Sequence, residues 1–316
     1  MKPKIYVDGQ EGTTGLEIHE YLGVRDDLEI LKIDSAKRKD TEARRAMLNE
    51  ADIAFLCLPE SASREAVTLV TSPRTRLIDA SVAHRVDPAW TYGLPELNPQ
   101  QRAKIIAASR VTVPGCHATA AILTLYPVLQ AGIITKDYPV SLTSLTGYSG
   151  GGRKLIEKYQ QAEAERTLRS PRPYALGLNH KHLPEMQQVL GLTYPPIFTP
   201  VVSDFYRGLA VSIPLAARTL KSGTTAASLH VLLSDYYAHK SFVRVMPLGA
   251  ESNLEDGTFN VEGCNHTNRA DLFVFSNGDQ ILLLSRLDNL GKGASGAAVQ
   301  CMNLMLGVDE KVGLRS

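Results

Sequence analysis

Short, continuous apolar runs separated by amphipathic stretches dominate the first third of the chain. The apolar-rich runs at 5–7, 28–33, 53–58, 77–78 and 111–113 each predict a buried strand. Between them, 14–22, 41–49, 61–70 and 98–104 predict helices, and that rhythm implies a parallel, doubly wound α/β sheet. Beyond Cys116 the texture changes. A long apolar helix is expected over 117–130, then a strand at 140–145, a glycine cluster and a charged helix over 154–169. Further on, a β-rich stretch at 197–215, a helix at 224–238 and strands near Val243, Phe273 and 281–287 predict an α+β second domain. The small-residue stretch 293–306 reads as a helix suited to packing back on the first domain.

At 316 residues the chain exceeds the usual size of a single core, so one large or two medium domains are expected, two being favoured. A formal net charge of +1 favours neither nucleic acid nor a membrane surface as partner. The cysteines at 57, 116, 264 and 301 have no spacing that suits a zinc site or a disulfide framework. Met1-Lys2-Pro3-Lys4 runs directly into Ile5-Tyr6-Val7 without the apolar core of a signal peptide, so a reduced, cytoplasmic protein is expected.

Two segments suggest a dinucleotide. Gly9, Gly12, Thr13, Thr14 and Gly15 lie in Asp8-Gly9-Gln10-Glu11-Gly12-Thr13-Thr14-Gly15, where the first strand turns into a helix. Glycines there let the backbone approach a pyrophosphate, and the helix N-terminus attracts its charge; a plain strand-to-helix turn is the alternative. At the end of the second strand, Ser35, Lys37, Arg38 and Lys39 outweigh Asp34. Cations at that place suit the 2′-phosphate of NADP, although a solvated basic turn would have the same composition.

Val113-Pro114-Gly115-Cys116-His117-Ala118-Thr119 sets Cys116 between a strand end and a helix start, where a thiolate is stabilised and nucleophilic. The other three cysteines sit in or beside apolar segments and read as inert core residues. His180 and His182 flank Lys181 and are candidates for proton transfer. Their spacing would aim both imidazoles to one side in an extended segment, whereas on a helix or loop only one would serve. A metal held by this pair is not expected, since no further ligand follows from spacing. For a phosphate, Arg85 after Asp79-Ala80-Ser81 is the first candidate and Arg207 the reserve, with a structural salt bridge as the alternative for each. Ser149, Gly150 and the glycines after them could present backbone amides, or could simply form a turn.

The phrase Pro-Gly-Cys-x-x-Thr resembles the nucleophile motif of the N-acetyl-γ-glutamyl-phosphate reductases, relatives of aspartate-semialdehyde dehydrogenase. Further segments agree in order: Asp79-Ala80-Ser81 with Arg85, Tyr92-Gly93-Leu94-Pro95-Glu96, Thr146-Gly147-Tyr148-Ser149-Gly150-Gly151-Gly152, Asn179-His180-Lys181-His182-Leu183-Pro184-Glu185, and Asn289-Leu290-Gly291-Lys292-Gly293-Ala294-Ser295-Gly296. The compact length resembles the shorter of the family's two sequence types, while Tyr-Ser-Gly-Gly-Gly departs from the Ser-Gly-Ala-Gly of the longer one.

The resemblance implies an NADP-binding Rossmann domain over 1–116 and 292–316, and a catalytic and oligomerisation domain over 117–291. It implies NADPH-dependent reduction of an acyl phosphate through a thioester on Cys116, in arginine biosynthesis, by a homodimer or homotetramer. It favours His182 as acid/base, with His180 second and Glu185 as an orienting carboxylate. Ser81, Arg85, Tyr148, Ser149, Gly150, Glu185 and Arg207 become substrate candidates, and Asn289, Gly291 and Gly293 join the cofactor contacts. A reductase of aspartyl or aminoadipyl phosphate, or an NADP-binding regulatory protein without turnover, is the alternative.

Overall fold

The computed structural model describes residues 1–161, 166–249 and 251–316, and the chain divides into two compact units, Met1–Pro114 with Ala294–Arg315 and Gly115–Gly293. The first unit alternates β1 (Lys4–Asp8), α1 (Thr13–Gly23), β2 (Glu29–Leu31), α2 (Thr41–Glu50), β3 (Ile53–Leu56), α3 (Glu60–Leu69), β4 (Arg76–Asp79), β5 (Thr91–Tyr92), α4 (Gln101–Ala107) and β6 (Arg110–Thr112). Its strands form one sheet in the order β2-β1-β3-β4-β6-β5, every pair parallel.

Successive side chains of a strand point to opposite faces, and in β1 and β3 both faces are covered, which is why those two read as unbroken apolar runs; β2, expected as a buried strand, lies at the sheet edge and is only partly covered. Ile5, Val7, Ile53 and Phe55 pack with Ile18 and Leu22 of α1 on one side. Tyr6, Ala54 and Leu56 pack with Leu48 of α2 and Ala66 and Leu69 of α3 on the other. The expected strands and helices are all present. β5, a two-residue edge strand too short for an apolar run, adds to them. α4 starts later than expected because the Asn98 carboxamide accepts the Gln100 N–H (3.0 Å) in a turn ahead of the helix.

The second unit contains α5 (Cys116–Gln130), β7 (Ser141–Gly147), α6 (Arg153–Gln160), β8 (Arg172–Pro173), α7 (Leu183–Leu190), β9 (Ile197–Ser203), β10 (Leu209–Ala216), α8 (Ala226–Tyr237), β11 (Val243–Val245), β12 (Ala270–Asn277) and β13 (Gln280–Leu287). Among the described residues its sheet runs β11-β12-β13-β10-β7-β9-β8 and mixes parallel with antiparallel pairs. α5 is apolar nearly all round and is buried accordingly, against β10, β13, α7 and α8. Its carbonyls hold neighbours in place: Leu123 O accepts from the Tyr237 hydroxyl at 2.6 Å and Ala120 O from the Ser285 hydroxyl at 3.2 Å.

The charged helix expected over 154–169 ends at Gln160; residues 162–165 lie outside the described residues, and Arg166–Arg169 forms a 3-10 turn. α7 was not expected from the hydrophobic pattern, although Pro184 in its first turn and Gly191 at its left-handed end (φ 70°) are ordinary helix boundaries. After β13 the chain makes a π turn at Gly291–Ser295 and enters α9 (Gly296–Leu306), which packs with α1, α4 and β4 in the first unit. No helix among the described residues is long and apolar enough to cross a membrane.

Candidate active site

Cys116 is the first residue of α5, half-buried, with Gly115 as a helix cap that offers no side chain. The first-turn amides of a helix favour negative charge, so the position suits a thiolate. Two groups fix the turn. Thr119 bonds back to the Gly115 carbonyl through its amide (2.8 Å) and its hydroxyl (3.1 Å), which explains the threonine of Cys-x-x-Thr. The buried Glu185 carboxylate, from α7, accepts the Gly115 N–H at 2.9 Å. Gly293 lies against Cys116 itself: a Cβ there would stand 2.7 Å from Cys116 Cβ.

One ring nitrogen each of His117 and His182 and the sulfur of Cys116 lie within 4.8 Å of one another. His182 is buried just ahead of α7, whereas His180 is outside this trio. The segment is not extended: the Leu183 N–H reaches the His180 carbonyl (2.9 Å), and the His182 N–H donates to His180 Nδ1 (3.1 Å). An Nδ1 that accepts a hydrogen bond leaves a ring proton on Nε2. Between the two expected candidates, geometry therefore puts His182 next to the sulfur.

His117, Ser144 and Tyr174 went unnoticed in the sequence. His117 Nδ1 is 2.8 Å from Ser144 Oγ on β7, and Nε2 is 3.1 Å from the Tyr174 hydroxyl. Burial pushes the His117 pKa down to about 3, assisted by His180 and Lys181, so the ring is neutral at physiological pH. Burial, and then the charge of Cys116, raises the Tyr174 phenol and keeps it a donor. His117 follows Cys116 directly but sits in an apolar helix, where a histidine reads as core.

The remaining substrate candidates are distributed between the units. In the first, Arg85 donates from Nε to the Val113 carbonyl (3.0 Å), bracing the strand end that precedes the cysteine turn. Ser81 donates to Asp79 (2.9 Å) and accepts the Ala83 N–H (3.0 Å). In the second, Arg207 pairs with the buried Asp288 (3.1 Å) and faces His266 Nδ1 (3.2 Å). Tyr148 stacks on Tyr159, and the amides of Ser149 and Gly152 are taken up by Tyr206 O and Ser149 O. Asn289 accepts the Gly208 N–H (2.8 Å) and donates to Ser149 Oγ (2.9 Å), clamping that turn. Gly291 is required by packing, since a Cβ would meet Thr267 O at 2.1 Å.

The first unit carries the expected dinucleotide loop. Gly9 adopts φ +92° with its Cβ position against Cys57 O, and Gly15 lies against Gly9 O, so both are demanded by the fold. Gly12 is different. A Cβ there would find nothing nearer than 3.4 Å, so the fold leaves open space over this amide. α1 begins after it with no side-chain cap and no acidic residue in its first turn, where Thr13 and Thr14 sit. An open cavity of about 400 Å³ covers the loop and is lined by Gly9, Gly12, Arg38 and Lys39. Ser35 and Lys37 form the adjoining turn, whose backbone occupies Asp34, and Arg38 pairs with Glu11 of the glycine loop (3.1 Å). These residues fit a phosphorylated dinucleotide.

Residues 5–105 match the family described as semialdehyde dehydrogenase, NAD binding domain, and residues 116–289 match semialdehyde dehydrogenase, dimerisation domain. A relative from Nostoc sp., N-acetyl-gamma-glutamyl-phosphate reductase 2, is 46% identical and covered over 99% of both chains. N-acetyl-gamma-glutamyl-phosphate reductase from Burkholderia cenocepacia is 45% identical over 96% of this chain and 97% of its own. Aspartate semialdehyde dehydrogenase II from Vibrio cholerae superposes with a TM-score of 0.73 over 97% of this chain and 99% of that one; at 15% identity it is a likeness of fold.

Proposed function

The chain belongs to the semialdehyde dehydrogenase family and, within it, to the N-acetyl-γ-glutamyl-phosphate reductases, and from that premise we propose that it reduces N-acetyl-γ-glutamyl phosphate to N-acetylglutamate 5-semialdehyde and phosphate. The observation that carries the reading is the placement of Cys116 at the start of α5 with a nitrogen of His182 within 4.8 Å of its sulfur. His182 takes the thiol proton, and the thiolate attacks the γ-acyl carbon. Phosphate leaves as the S–C bond forms, giving a thioester. NADPH, when bound, supplies the hydride that reduces this thioester. His182 then protonates the oxyanion of the resulting thiohemiacetal and removes that proton again as the C–S bond breaks and the aldehyde departs.

The other residues bind and orient. Arg85 is proposed to grip the leaving phosphate and Arg207 the substrate's carboxylate end, each already aimed by a carbonyl or carboxylate neighbour. Tyr148, Ser149 and Gly150, clamped by Asn289, shape the substrate's surroundings. Glu185 and Gly293 set the position of the cysteine turn, and His180 orients the His182 backbone. The amides of the Gly9–Gly15 loop, with Ser35, Lys37, Arg38 and Lys39, would hold NADP. Arginine biosynthesis in the cytoplasm is the setting. Self-association as a homodimer or homotetramer through residues 116–289 is supported by the match of that segment to a dimerisation domain.

The test is phosphate-dependent oxidation of the semialdehyde by wild type and Cys116→Ser, with mass spectrometry for an acyl adduct on Cys116. The variant should lose the activity and the adduct. Full activity in Cys116→Ser would end the covalent route, and a preference for aspartyl phosphate in parallel assays would end the substrate assignment.

A further inference from the structure

We propose that Cys116, His117 and His182 form a binding site for a thiophilic divalent metal ion of the zinc class, and that occupancy silences the thiol. One sulfur and two imidazole nitrogens within 4.8 Å of one another make the ligand set. Thiolate with imidazole is the donor combination zinc prefers. Zinc–sulfur and zinc–nitrogen bonds of about 2.3 and 2.0 Å separate tetrahedral ligands by about 3.5 Å, so the three atoms need close by only about 1 Å.

The scaffold favours that closure. Cys116 and His117 are consecutive on α5, and His182 is held at the start of α7, which is tied to the cysteine turn through Glu185 and Gly115. Both imidazoles are buried, at 3% and 4% exposure, while the cysteine is half-exposed, which leaves an entry side and a fourth position for water. Ser144 and Tyr174 each approach one nitrogen of His117. The ion would displace one of these hydroxyls, and the other would stay as the outer partner that fixes the ring. Binding forms a sulfur–metal bond and releases the thiol proton to solvent. The sulfur cannot then attack an acyl phosphate.

Binding itself does not depend on the proposed reaction; only the silencing rests on Cys116 being its nucleophile. The wild-type enzyme is titrated with CoCl2 in a thiol-free buffer, then with ZnCl2. One cobalt ion per chain should give near-ultraviolet thiolate-to-cobalt charge transfer and the visible bands of four-coordinate cobalt, both removed by zinc. Cys116→Ser should lose the charge transfer. His117→Gln should keep it and bind zinc at least about tenfold more weakly, the usual scale for losing support at such a site. Absence of the charge-transfer band from the wild-type protein overturns the site, as does unchanged zinc affinity in both His117→Gln and His182→Gln. Zinc should also abolish turnover, reversibly with EDTA; zinc-loaded enzyme that turns over normally overturns the silencing.

Discussion

Replacing Gly293 by alanine tests how closely the nucleophile is positioned. The new Cβ would sit 2.7 Å from Cys116 Cβ and 3.2 Å from both Cys116 Cα and Asp288 O. Carbon atoms in ordinary contact are about 3.5–4.0 Å apart, so about 1 Å must be found. The Gly293 side has little to give. Its N–H bonds Asp288 O at 2.9 Å, and the Asp288 carboxylate is anchored by Arg207, the His266 N–H and the Leu290 N–H. The displacement therefore falls on Cys116. A misplacement of about 1 Å costs about 100-fold in rate, or about 2.7 kcal/mol of barrier. Gly293→Ala should lower kcat/KM by that order and change the rate at which iodoacetamide alkylates Cys116, while NADPH affinity by fluorescence titration stays as in wild type. Activity within about twofold of wild type, with unchanged alkylation, would refute the reasoning. Loss confined to NADPH affinity would return Gly293 to the cofactor contacts.

The neutral His117 makes stability fall with acid. Its folded pKa of about 3 lies below the ordinary 6.5, so between those values the unfolded chain binds a proton that the folded chain does not. Stability drops as pH falls through that window, by about 2 kcal/mol from pH 7 to 5, and urea midpoints of His117→Gln should show a shallower slope than wild type. Equal slopes would remove His117 as a cause. Glu185→Ala should cost about 1.5–3 kcal/mol of unfolding free energy and reduce turnover, and Glu185→Gln less, because the amide oxygen still accepts the Gly115 N–H. Equal losses in the two would speak against that hydrogen bond. Neutralising Arg38 and Lys39 together should raise the KM for NADPH about 10- to 100-fold and leave NADH kinetics unchanged. A parallel loss with both cofactors would mean that the turn is not a 2′-phosphate site.

The parallel sheet was legible because both its faces are covered, so Ile53–Leu56 shows in one dimension as an unbroken apolar run. α5 was legible for the same reason. β5 and β8 were not, since two residues have no periodicity, and α7 was hidden because its apolar stripe is short and its boundaries are carried by Pro184 and Gly191. Cys116 stood out by its covalent neighbours alone: a strand, Pro-Gly, and a helix. What distinguishes His182 from His180 is a backbone turn in which the His182 N–H engages His180 Nδ1, and spacing cannot encode that.

His117 shows the limit most clearly. Its partners come from Ser144 and Tyr174, 27 and 57 residues away, so nothing local marks it as other than a core histidine, and in burial it is one. Burial keeps the ring neutral, and position puts a nitrogen beside the sulfur. A histidine in that state carries no imidazolium proton to give at physiological pH, which supports the proposal that His182 does the acid/base work. The same neutrality leaves one nitrogen with a lone pair. The proposed reductase route makes no use of that lone pair, and only a tertiary structure could have disclosed it.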